Sequence, residues 1–157
     1  KLTAIAAAID VRKAPTMIKI AADGSELPVT AKDHVAVLLP QYGLMFDVAT
    51  PVHAQSWAKA KAAAKSMRTL GKKDWVLPER QELALILDLS RSGPAIDISY
   101  FPNTPTHDWY WTATKRASVS SDAWCADFHY GSVSYDPQDS TGFVRAVRRV
   151  AVVPASQ

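Results

Sequence analysis

The chain is short of cysteine and glycine, nearly balanced in charge, and without a long apolar run. Each shortage removes a class of protein. Cys125 is the one cysteine in 157 residues. It permits neither an intrachain disulfide nor a zinc site built on several cysteines, so packing alone must hold the fold. The 6 glycines form no phosphate-cradling loop, and no Gly-x-Ser-x-Gly elbow presents a nucleophile. Basic residues number 18 and acidic residues 15, a net charge of +3. That balance gives no ground for a nucleic-acid partner. No apolar stretch has the length of a membrane span, so no membrane insertion is expected. His34, His53, His107 and His129 show no ligand spacing.

What is present is an ordinary globular composition, 48% apolar and 21% charged. The length suits one domain with its own core. Residues 1–33 differ from the rest. They begin Ala-rich, with a basic start and a short apolar stretch that makes no clear signal peptide and leaves export open. They continue to a turn at Ala22-Asp23-Gly24-Ser25. We read them as an N-terminal arm for attachment or oligomer contact, with a strand at 16–21. The domain proper spans 34–151, and 152–157 is a C-terminal tail.

Within the domain, Val35–Leu39 and Gly43–Val48 read as strands joined by a turn at Pro40–Gly43. Residues 56–70 read as an amphipathic helix. Trp57, Ala60, Ala64 and Met67 share its inner face, Ser56 is the N-cap and Gly71 follows the last turn. A start at Thr50-Pro51 is the alternative. A second helix fits Glu79–Leu89, ended by Ser92-Gly93-Pro94. The second half turns to β. Trp109–Thr114, Trp124–Phe128 and Phe143–Val150 read as strands, and 115–123 and 129–142 as polar loops.

Four pieces stand in a fixed order: Ser56-Trp57-Ala58-Lys59-Ala60; Asp74-Trp75-Val76-Leu77-Pro78 with Glu82-Leu83; Phe101-Pro102 with Tyr110-Trp111-Thr112-Ala113-Thr114; and Val144-Arg145-Ala146-Val147-Arg148. Over about Gly43 to Arg149 this resembles the domain family found at the C-terminus of the Lcl collagen-like adhesin and in phage and bacterial surface proteins. Val76 replaces the family's Arg, Glu79 its helix-capping Thr, and Thr112-Ala113 its Ser-Ser. The resemblance implies an α+β, C-type-lectin-like fold. In it two helices flank a small mixed or antiparallel sheet, and long irregular loops present a ligand surface. It also implies distant kinship with phage receptor-binding variable proteins and with formylglycine-generating enzymes.

Trp57, Trp75 and Trp111 are expected in the core. Tyr110 points opposite to Trp109 and Trp111, so one face of that strand is expected to be open. Arg145 and Arg148 face opposite sides, and one of them is expected to pair with a carboxylate such as Asp97 or Asp127, the alternative being an anion-recognising pocket. Asp122, Asp127, Asp136 and Asp139 are near in sequence and are candidate calcium ligands, but they lack a lectin's ligand order and no cofactor is expected. The enzymatic relatives use a cysteine pair, which Cys125 alone cannot supply. We read it as a small buried hydrophobe and the protein as a non-enzyme. The loops are dense in Ser, Asp, Tyr and His, which suit adaptable contact surfaces on a rigid scaffold. The expected ligand-binding residues are Tyr110, Ser120, Asp122, Trp124, His129, Tyr130, Ser132, Ser134, Tyr135 and Asp136. The expected role is adhesion or receptor recognition at a virion or bacterial cell surface. The partner is a glycan or protein receptor, and the domain acts as a homo-oligomer or part of a larger assembly. The alternative is a structural virion or envelope component, and the remoter one an enzyme of the formylglycine-generating type.

Overall fold

The structure is a computed structural model, and it describes residues 14–49 and 54–153. The Ala-rich start, the alternative helix start at Thr50-Pro51, and His53 lie outside the described residues. The architecture is α+β, with two α-helices and two antiparallel sheets. In chain order the elements are β1 (Ile18–Ile20), β2 (Glu26–Leu27), β3 (Ala36–Leu39), β4 (Leu44–Asp47), α1 (Trp57–Ser66), α2 (Arg80–Ala84), β5 (Trp109–Lys115), β6 (Asp122–Asp127), β7 (Val133–Pro137) and β8 (Val147–Arg149). One sheet has the order β2-β1-β3-β4-β8, the other β5-β6-β7. The sequence reading expected one small sheet; the chain builds two.

The β3–β4 hairpin turns at Pro40–Gly43 as expected. Gly43 has a φ of 62°, and a Cβ there would lie 2.6 Å from the Val150 carbonyl oxygen. Only glycine meets both demands. The strand expected at 16–21 forms as β1, which pairs with β2 and with β3 and so extends the main sheet at its edge.

Strand alternation sorts the apolar side chains into two cores. Leu44 and Phe46 of β4 join Val37, Leu83, Ile86, Tyr110 and Phe128 in one. Met45 joins Trp57, Ala60, Ala64, Trp75, Trp111 and Cys125 in the other. Trp57, Trp75 and Trp111 are buried as expected. All three indoles are also anchored: Trp57 Nε1 donates to the Thr112 carbonyl at 2.8 Å, Trp75 Nε1 to the Thr69 carbonyl at 2.9 Å and Trp111 Nε1 to the Gln55 carbonyl at 2.7 Å.

Both helices are shorter than their apolar periodicity predicts. Helix α1 stops at Ser66, and Met67 is extended with a ψ of 147°. Side chains satisfy the carbonyls freed there: Ser66 Oγ donates to the Ala63 oxygen, and the Arg68 guanidinium to those of Lys65 and Met67. Ser56 occupies the N-cap position, but its hydroxyl makes no capping bond. Helix α2 ends at Ala84, not Leu89. Beyond it the Asp88 carboxylate accepts from the Ser90 amide, the Ser90 hydroxyl and Arg91 Nε, a local set of bonds that competes with the helix. Glu79 does cap α2. It forms a reciprocal capping box with Glu82 and also accepts from Thr114 Oγ1 at 2.5 Å. The family's threonine is thus replaced by a side chain that does the same work.

Candidate functional site

The segment 129–142, expected to be loop, contains strand β7. It is an edge strand, hydrogen-bonded on one side to β6 and mostly exposed. Its Ser, Tyr and Asp content hid it, because an edge strand need not bury either face deeply. Pairing sets Tyr135 opposite Trp124 and Asp122 opposite Pro137, on one face. Ser134 and Asp136 lie opposite Cys125 and Ala123, on the other face.

On the first face four side chains stack in series. The Arg80 guanidinium lies 4.0 Å from the Trp124 ring centroid. Trp124 meets Tyr135 edge to face at 5.4 Å. The Arg116 guanidinium covers Tyr135 at 3.6 Å. Arg116 NH1 then reaches Asp122 Oδ2 at 3.1 Å. Each cation–π contact contributes about 0.5–1 kcal/mol at such partly exposed sites. Their larger effect is to hold two aromatic rings and two forked donors in one row. Ser120 lies in the exposed turn beyond this end, where Gln138 Nε2 donates to its carbonyl at 2.9 Å.

The other end of the β6–β7 hairpin carries Tyr130, 74% exposed. Its ring meets the His129 ring edge to face at 4.1 Å. Asp127 fixes this turn by accepting from the His129 amide at 2.7 Å. Ser132 is exposed in the same turn. The expected site residues therefore fall into separate places. Asp122, Trp124 and Tyr135 are gathered in the strip, His129, Tyr130 and Ser132 at the hairpin tip, and Ser134 and Asp136 on the opposite face.

Tyr110 belongs to none of these places. Both faces of β5 are covered, and Tyr110 is fully buried between Phe128 and Phe143, so the open face expected there does not exist. Burial pushes its phenol above the ordinary range, against the pull of Arg145. One of the two arginines does make the expected structural pair, with a carboxylate other than the two named as examples. Arg148 pairs with Asp74, at 2.8 and 3.2 Å, and not with Asp97 or Asp127. Arg145 is buried and donates to the Asp47 carbonyl and to Thr104 Oγ1. Asp97 accepts from Ser99 and lies 3.5 Å from Arg91.

Among the described residues, no group of three or more His, Cys, Asp or Glu is placed to hold a metal ion. Asp122 is occupied by Arg116, and Asp127 by its turn. Cys125 is buried, and burial first, then the charges of Asp136, Asp108 and Asp127, push its thiol up to about 12. At neutral pH it stays protonated, which makes it a poor nucleophile.

The residues missed by the sequence reading are Arg80 and Arg116. Arg80 arrives from α2, far away in sequence. Arg116 directly follows an aromatic strand, and that adjacency was the available signal. A search of curated proteins finds no match. The sequence profile of the Lcl C-terminal domain matches residues 34–148, well over half of the chain, and takes in the whole Trp124–Tyr135 strip. The protein thus belongs to the Lcl C-terminal domain family.

Proposed function

We propose that this domain is a recognition module with a C-type-lectin-like arrangement, which binds a cell-surface glycan or protein receptor from a phage tail or bacterial surface. The observation that carries the reading is the row Arg80–Trp124–Tyr135–Arg116, rigidly mounted on a sheet and open to solvent at Tyr135. Aromatic faces supply contact area at low entropic cost, and guanidinium forks supply directed donors. Tyr130 at the hairpin tip adds a second exposed anchor. Asp122 offsets the charge of Arg116, so the strip is a mixed polar and aromatic surface and not a purely cationic one. Several copies in one assembly offset a weak single site. We also propose that the domain performs no cysteine chemistry of the formylglycine-generating kind, because its sole cysteine is buried and protonated.

The test combines a glycan array with retention on whole bacterial cells, using the purified chain. Tyr130→Ala with Tyr135→Ala should abolish binding and leave the melting temperature within about 2 °C, since exposed side chains contribute little to stability. Wild-type binding by the double variant defeats this placement. A wild-type chain that binds neither glycans nor cells defeats the recognition reading and favours a structural role.

A further inference from the structure

A second region points to a ligand of different chemistry. Between the β1–β2 segment and the turn at Ile98–Pro102 lies a cavity of about 490 Å³, a volume usual for small-molecule sites. Lys19, Val29, Lys32, His34, Ile98 and Pro102 line it, and no acidic residue is among its described lining residues. Lys19 is only 3% exposed. Its ammonium donates to the carbonyls of Val29 and Ala31, both at 2.6 Å, which uses two of its three N–H groups. The Tyr100 ring lies 5.2 Å away, and Lys19 makes no ion pair with a described carboxylate. A buried charge without a counter-charge is costly. His34 is likewise buried. Its Nε2 is 2.7 Å from the Tyr100 carbonyl, so the proton sits there, and Nδ1 is left as an acceptor with no partner among the described residues. Val29 and Ile98 are exposed apolar side chains on the same lining.

We propose that this cavity binds a small carboxylate with an apolar body. The carboxylate pairs with Lys19 and with Lys32. The apolar body covers Val29, Ile98 and Pro102. Lys19, Val29 and Lys32 precede residue 34, where the family match begins, so the site lies partly outside the matched residues. It is independent of the aromatic strip.

The experiment is a titration of the full chain, followed by amide and imidazole NMR shifts. The probes are 3-phenylpropionate and its methyl ester, which lacks the charge. 3-Phenylpropionate should saturate with a Kd of roughly 1 mM and move the amides of Val29–Lys32, Ile98 and Ser99. The ester should bind about tenfold more weakly, the worth of one lost charged contact. Lys19→Met should lose 3-phenylpropionate binding. Should that buried substitution unfold the chain, Ile98→Asp serves instead. It puts a negative charge at an exposed position on the lining and should weaken binding at least about fivefold. Absence of shifts up to roughly 20 mM 3-phenylpropionate, equal affinity for the ester, or an unaffected Ile98→Asp variant overturns the proposal.

Discussion

Strands β4 and β7 are of similar length and both pair antiparallel, yet they live by different rules. All of Leu44–Asp47 is buried, with alternate side chains entering the two cores. Strand β7 sits at a sheet edge, and Ser134, Tyr135 and Pro137 remain exposed. A strand covered on both faces must be apolar almost throughout, and its sequence advertises this. An edge strand can carry serine, tyrosine and aspartate, and becomes a surface on which side chains are held in register but free to meet a partner. The fold thus separates the region that supplies stability from the one that offers contacts.

That separation can be broken most visibly from the buried side. Trp57→Ala removes an indole from between α1 and β5 together with its bond to the Thr112 carbonyl. It should cost about 3–5 kcal/mol, read as a lower urea midpoint with little change in slope. A loss below about 1 kcal/mol would show that α1 does not depend on this anchor.

A middle-sized effect comes from Cys125, on the buried face of β6. Cys125→Ala should cost about 1 kcal/mol at neutral pH. Its pH dependence is more telling. The folded thiol titrates at about 12, the unfolded one near about 8.5. Between those values the native state binds more protons, so stability falls as pH rises, by up to about 1.4 kcal/mol per pH unit. Urea unfolding at pH 8 and pH 10 should show this loss in the parent chain and less of it in the variant. Equal losses in both would place the thiol in a more open setting.

The smallest effect belongs to the strip. Arg116→Gln breaks the ion pair with Asp122 and the stack on Tyr135, both at the surface. It should change stability by no more than about 1 kcal/mol. Receptor binding should nevertheless fall if the row is the contact surface. A stability loss as large as that of Trp57→Ala would put Arg116 among the residues that hold the fold, and erase the distinction between the two regions.

The sequence by itself determined the α+β class, the β3–β4 hairpin, the inner face of α1 and the burial of Trp57, Trp75 and Trp111. These follow from local rules: apolar periodicity, turn residues, and the demand that large aromatic side chains leave water. It also carried the family, in four ordered motifs. Tertiary structure alone decided three other matters. It covered both faces of β5 and so took Tyr110 into the core, because a second core forms on the side expected to be open. It chose Asp74 as the partner of Arg148, from a segment whose approach no spacing along the chain records. And it brought Arg80 and Arg116 to either end of Trp124 and Tyr135. Stacking of that kind depends on how α2 and the β5–β6 turn lie against one sheet, which is a property of packing and leaves no periodic trace in the chain.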